Sequence, residues 1–368
     1  MAERPTKKQR SSMVNWRDAK EARPEMEKHF KTLAAQFVKY IQESYEWPDV
    51  GVERLEKMLD YTVPGGKYNR GLLCIWTAID TCKMKGKEFD EKTELLSVVL
   101  AWCVEILQAC FLVSDDVMDS SVTRRGKPCW YKIPEVGMDA VNDALILESF
   151  LFFLIEKYFS GEQYVALMKL FHDVSLKTQM GQMLDTMSEK AKGKEGIFDK
   201  FNMKYYTRII TYKTAFYSFY LPAASALIAC NIVDSSALKA CEEICVAMGV
   251  KFQIQDDYLD CYGDPEHIGK VGTDIFDHKC TWLLVIALQM MNEGQRKTLE
   301  ANYGNGIEDK KAEQTIKELY KELDLEKVYE KQEADSLQQC TALIQKYSKI
   351  LPAETFDRLL KKIHKRSK

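Results

Sequence analysis

Leu107-Gln108-Ala109-Cys110-Phe111-Leu112-Val113-Ser114-Asp115-Asp116-Val117-Met118-Asp119 closes the longest apolar run of the chain. That run starts at Leu95 and is interrupted only by Glu105, Gln108 and the acids at its end. A continuous apolar stretch of this length reads as a helix buried on all sides. Residues four apart share a helix face about one turn apart, so Asp115 and Asp119 project together. A second segment repeats the pattern: Phe252-Gln253-Ile254-Gln255 leads into Asp256-Asp257-Tyr258-Leu259-Asp260. Each apolar helix thus ends in clustered carboxylates, where the helix dipole already places negative charge. Something positive must offset them. Carboxylate oxygens at this spacing suit Mg²⁺, which keeps waters and is usually completed by substrate phosphates. Two such clusters, 141 residues apart, read as a clamp for two or three Mg²⁺ ions. Neither cluster continues as a calcium-binding EF-hand loop.

The rest of the chain agrees with an all-α protein. Eighteen glycines and nine prolines in 368 residues are about 7% breakers, against about 12% on average. Helical spacing of apolar residues runs over about 25–45, 72–82, 94–118, 142–159, 171–187, 203–232, 236–261 and 282–291, and the last 60 residues are amphipathic. Strand signals are nearly absent, and Gly and Pro mark loops at 123–128 and from Gly263 to about Asp277. No linker marks a boundary, so residues 1–25 read as a loosely ordered polar tail and 26–368 as a single domain. Thr214–Val233 carries no charge over 20 residues, but its tyrosines, serines and Asn231 suit a buried helix rather than a membrane span. A net charge of −3 disfavours general nucleic-acid binding. The eleven cysteines are irregularly spaced with no CxxC pair, and they read as reduced core thiols of a cytoplasmic protein. The N-terminal residues show no apolar core of a signal peptide.

Basic residues follow both acidic clusters. Arg124-Arg125 come after the first, and Lys270 and Lys279, with Asp274 between them, after the second. Pro64-Gly65-Gly66-Lys67-Tyr68-Asn69-Arg70 is a glycine turn opening a helix, a ready anion site, with Lys67 and Arg70 three apart on one face. The spacing of a nucleotide-binding P-loop is missing. Lys213-Thr214 interrupts an apolar helix, where a buried lysine needs an anionic partner. Metal-binding helix ends, basic groups and a deep apolar interior suit a substrate with a diphosphate head and a hydrocarbon tail. The chemistry is ionisation: cations stabilise the leaving diphosphate while the cavity keeps water from an allylic cation.

From Leu107 to Gly126, and from Phe252 through Asp274, the chain resembles the two aspartate-rich motifs of farnesyl diphosphate synthases of eukaryotic type. Gly65-Gly66-Lys67 with Asn69-Arg70, Tyr212-Lys213-Thr214 and the basic end Lys365-Arg366 match in order. The resemblance runs from about residue 30 to the C-terminus. It implies the isoprenoid synthase fold, a single large helical bundle around a deep apolar cavity, usually as a homodimer. It also implies head-to-tail condensation of isopentenyl diphosphate with an allylic diphosphate. By motif match, Asp115, Asp116, Asp119, Asp256 and Asp260 surround Mg²⁺, with Asp185 a further acid nearby, while Asp257 and Asp274 support the metals or orient lysines. Arg124, Lys213 and Lys270 grip the allylic diphosphate. Lys67, Arg70, Gln108, Arg125 and Arg366 grip isopentenyl diphosphate. Thr214 and Gln253 line the carbocation pocket, and the released diphosphate is the implied proton acceptor.

One departure bears on product length. The farnesyl-type pattern has two aromatics just before the first cluster, and here the pair is Cys110-Phe111. A small residue there deepens the tail pocket, which gives the expectation of farnesyl diphosphate with extension to geranylgeranyl diphosphate. Mainly geranylgeranyl diphosphate synthesis and a non-catalytic helical scaffold are the alternatives. A terpene cyclase is disfavoured because the second DDxxD is intact, and the string from Asn142-Asp143 has Ile146 and Phe150 where a cyclase needs Ser or Thr and Glu.

Overall fold

The computed structural model describes residues 14–193, 196–264 and 272–364. Lys270 and Arg366 lie outside these residues. The all-α expectation holds: among the described residues, strand is confined to a two-stranded hairpin of β1 (Thr123–Arg124) and β2 (Lys127–Pro128). The chain groups into two compact units where the sequence reads as one domain. One unit holds the residues up to Met168 with Ser225–Asn231; the other holds Lys169–Ala224 and the residues from Ile232 on.

The first unit is built around α4 (Glu91–Met118), with α1 (Ala19–Tyr45), α2 (Asp49–Thr62), α3 (Asn69–Met84) and α5 (Ala140–Tyr158) about it. Asp90 caps α4 by accepting from the Thr93 amide at 2.8 Å. From Ser97 to Leu107 every α4 residue is buried, Glu105 included. Each fully buried leucine, isoleucine or valine there contributes about 1.5–3 kcal/mol, which makes α4 a stiff axle for its acidic end. This helix is long and apolar enough to cross a membrane, yet 78% of its most apolar window is buried inside the protein. Residues 16–25 correct the loose-tail expectation. Trp16 is buried and donates its Nε1–H to Glu94 at 2.6 Å, while Trp76 donates to the Trp16 carbonyl at 2.7 Å. Asp18 caps α1, which therefore starts well before Glu25. Charge counting hid this, because Trp16, Ala22 and Met26 supply the burial from a few spaced positions.

The second unit places the second acidic helix, α10 (Ser235–Tyr262), against a π-helical segment, Thr211–Tyr220. Sequence periodicity reads one helix over 203–232. The structure instead has α8 (Met203–Ile210), the π segment and α9 (Leu221–Ala229), because i→i+5 bonding widens the middle. Two glycines admit that wider backbone. A Cβ on Gly181 of α6 (Gly161–Glu189) would overlap the backbone of Tyr212 and Lys213, and one on Gly249 of α10 would overlap Ala215. Cys261, Trp282, Tyr303, Tyr320 and Tyr329 belong to the core beneath the acidic end of α10. Because the π segment carries Lys213, Gly181→Ala is expected to cost about 2 kcal/mol, as overpacking typically does. That lowers Tm by several degrees in calorimetry. A variant melting with wild type would show that the close approach is not required.

Candidate active site

In the first unit, Arg124 on β1 folds back onto the end of α4. Its Nη2 donates to Asp116 Oδ1 at 2.6 Å, its Nε to the same oxygen at 3.0 Å, and Asp115 lies 3.6 Å away. Burial works against the charge on Arg124, yet these pairs hold its pKa above the ordinary value. The hairpin turn puts both Arg125 (φ 53°) and Gly126 (φ 75°) in left-handed backbone, as a tight two-residue turn demands. The Arg125 side chain is thereby sent to the end of α2, where Nη1 donates to the carbonyls of Val63 at 2.9 Å and Pro64 at 2.7 Å. Its Nη2 is buried without a hydrogen-bond partner, 3.3 Å from where a Cβ on Gly66 would stand. An unsatisfied buried guanidinium donor beside a side-chain-free glycine fits a bound anion. Gln108 Oε1 is likewise buried and unpaired. Tyr61, Pro64, Leu112, Asp116, Arg125 and Trp130 line a cavity of about 170 Å³ here. Trp130 donates to Asp143 at 2.7 Å and Arg54 pairs with the same carboxylate at 2.6 Å, which fixes the segment after the hairpin to α2 and α5.

Lys67 precedes, and Arg70 lies in, the first turn of α3. Sequence reading missed what supports that turn. Glu105, buried in α4, accepts the Gly71 amide at 2.9 Å. Burial raises its carboxyl pKa, against the charges of Arg70 and Arg125. A lone acid in an apolar helix was the available signal. Cys110 is buried, its thiol pushed up to about 12 by burial, with the Glu148 charge of α5 nearby; Phe111 is half-buried.

In the second unit, Asp185 of α6 is the centre of charge. Its Oδ2 accepts from Lys213 Nζ at 2.5 Å and from Lys279 Nζ at 3.0 Å, and Lys279 also pairs with Glu189. Burial alone would raise the Asp185 pKa; the two ammonium groups outweigh it and hold the carboxyl below the usual range. Sequence reading placed Lys279 only as a basic residue after the second cluster and gave it no partner. Thr214, half-buried, follows Lys213 on the π segment.

The three acids of α10 part company. Asp256 and Asp260 are half-buried near the helix end. Asp260 Oδ1 accepts the Asp274 amide at 3.0 Å, and a Cβ on Gly272 would overlap the Asp260 carbonyl. Asp257 instead turns inward: Oδ2 accepts the Trp282 amide, at the start of α11 (Trp282–Met290), at 2.8 Å, and Oδ1 accepts from Gln253 Nε2 at 3.1 Å. The structure therefore gives Asp257 the supporting role and not that of a metal ligand, because the helix turns position 257 toward the core. Gln253, expected in the carbocation pocket, holds Asp257. No three His, Cys, Asp or Glu side chains among the described residues stand close enough together to hold a metal by themselves.

Acidic ends answered by resident arginines and lysines define a diphosphate enzyme of the helical prenyltransferase class. The polyprenyl synthetase family model matches residues 52–323, and the chain belongs to that family. Farnesyl pyrophosphate synthase 1 of Cannabis sativa is 45% identical over 329 residues, covering 88% of this chain and 93% of that protein. Farnesyl pyrophosphate synthase of Saccharomyces cerevisiae is 42% identical over 332 residues, covering 88% and 92%. Among solved structures, the farnesyl diphosphate synthase of T. brucei complexed with minodronate superposes with a TM-score of 0.86 at 34% identity, over 94% of this chain and 99% of that one.

Burial pushes the Asp257 carboxyl up to about 7. An unfolded aspartate titrates near 3.9. Between those values the folded protein holds a proton that the unfolded chain has released, so stability falls as pH rises from about 4 to 7. In metal-free buffer, wild type is expected to lose Tm across that window by more than Asp257→Asn does. Parallel curves would mean that Asp257 stays ionised throughout.

Proposed function

We propose that this prenyltransferase condenses isopentenyl diphosphate with dimethylallyl diphosphate, and then with geranyl diphosphate, to give farnesyl diphosphate. The observation that carries this is the pairing of carboxylates near helix ends with resident cations, Arg124 on Asp116 and Lys213 on Asp185, together with Arg125, whose Nη2 is buried with no acceptor. Arg124 and Lys213 stand ready to exchange Asp116 and Asp185 for phosphate oxygens of the allylic substrate. Arg125, Gln108, Lys67 and Arg70 receive isopentenyl diphosphate, with Glu105 holding the α3 turn beneath them.

The donor set at the acidic ends is all carboxylate oxygen and too sparse alone, which fits Mg²⁺ ions completed by the substrate's own phosphates. Asp115, Asp116 and Asp119 in the first unit, and Asp256 and Asp260 with Asp185 in the second, would hold two or three of them in all, and the metal would supply charge stabilisation for the departing diphosphate. The allylic C–O bond breaks, a C–C bond forms to isopentenyl diphosphate, and the proton lost from that unit passes to the released diphosphate. Thr214 offers an oxygen dipole to the allylic cation.

The relatives' names support a C15 product. The reading therefore stops at farnesyl diphosphate, without the extension expected from Cys110. A homodimer in the cytoplasm completes the proposal. Leu176, Met180, Met183 and Met187 form an exposed stripe of 46–58% accessibility along one face of α6, of the kind a second copy covers. With Mg²⁺ and labelled isopentenyl diphosphate, C5 and C10 primers are expected to be elongated to C15 and the C15 primer to stay unchanged. Consumption of the C15 primer would overturn the chain length, and no condensation would overturn the activity.

A further inference from the structure

Just before α11 the chain meets the end of α6, and one residue there, His278, has no part in the charge pairing. It is 2% exposed, and its backbone is left-handed at φ 58°. A buried non-glycine residue in that region persists only where its surroundings hold it, which makes it a place to look for function. Here they hold it from three sides. The ring sits among Phe198 (5.2 Å), Phe201 (5.7 Å) and Tyr303 (5.7 Å). Nδ1 lies 3.1 Å from the Ser188 carbonyl oxygen in the last turn of α6. A carbonyl only accepts, so Nδ1 carries the proton. Gly304 (φ 81°) presses on the other side, where a Cβ would stand 2.7 Å from that of His278. The Gly304 amide donates to Ile275 at 2.8 Å, and the Tyr303 hydroxyl donates to the Lys279 carbonyl at 2.8 Å.

The next residue is Lys279, whose ammonium meets Asp185 and Glu189. His278 and Lys279 thus grip the same turn of α6, one through its backbone at Ser188 and the other through its acids. Lys279 shares the Asp185 carboxylate with Lys213, so its position decides how firmly Lys213 is held.

We propose that His278 is a positioning residue: its Nδ1–H bond to the Ser188 carbonyl fixes Lys279 on Asp185, and so sets the charge that Lys213 offers to the allylic diphosphate. This rests on the function proposed above. A ring that merely filled the aromatic box would be replaceable by any apolar group of similar size. One that positions Lys279 needs a donor on the atom next to Cγ. Asparagine supplies that donor as Nδ2 and tolerates left-handed backbone, whereas leucine fills space and donates nothing.

The test is steady-state kinetics of wild type, His278→Asn, His278→Leu and Tyr303→Phe with both substrates. His278→Asn should stay within about threefold of wild type. His278→Leu should raise KM for geranyl diphosphate about tenfold while KM for isopentenyl diphosphate moves less than twofold. Tyr303→Phe should move the same way by less. Equal changes in both KM values, or His278→Asn as impaired as His278→Leu, would overturn the proposal. If the leucine variant does not fold, His278→Gln, which carries its donor one methylene too far, takes its place under the same criterion. Calorimetric binding of geranyl S-thiolodiphosphate with Mg²⁺ reads the same wild-type-to-variant ratio without turnover. An inactive wild type would therefore reject the assigned reaction while this ratio still decides the role of His278.

Discussion

Carboxylates gathered at the C-terminal ends of buried helices are the constraint on which this protein depends. The helix dipole and their own repulsion both oppose such gathering. The protein offsets it at two of these ends from within each unit: at α4, Arg124 covers Asp116 and approaches Asp115, and at α6, Lys213 and Lys279 converge on Asp185. Under the proposed function, these are the cations a diphosphate would take over. The arrangement holds them in place before substrate arrives, and it leaves little to reorganise on binding.

The helices must be stiff for this to work, and their interiors are built accordingly. α4 is closed off by apolar neighbours over most of its length. α10 gains a further tie from a buried ion pair, Lys251 with Glu333 of α14 (Leu325–Tyr347), to which His364 adds a bond of 3.0 Å. Breaking one partner of such a pair would leave an uncompensated buried charge. The π segment adds a local widening that turns Lys213 toward Asp185, and Gly181 and Gly249 make room for it.

The sequence made the acidic clusters legible because both their spacing and their apolar lead-ins are local. The basic residues near them were legible for the same reason. The partners of Glu105, Lys279 and Asp257 were not. They lie 34, 94 and 25 residues away, and no window around these residues names them. For Asp257 the resemblance implies a supporting role, and only the structure supplies what it supports, the Trp282 amide at the start of the next helix. The early start of α1 was hidden differently, by charges on the outer face of a helix whose inner face is carried by single residues.

If the carboxylates are already balanced by internal cations, Mg²⁺ should find a complete site only when a diphosphate takes those cations over. The direct measurement is calorimetric titration of Mg²⁺ into the protein, alone and with saturating geranyl S-thiolodiphosphate, whose thiolo link resists ionisation. The account predicts affinity at least 100-fold tighter with the analogue present. Equal Mg²⁺ affinity in both titrations would mean that the acidic helix ends form metal sites on their own, and would contradict it.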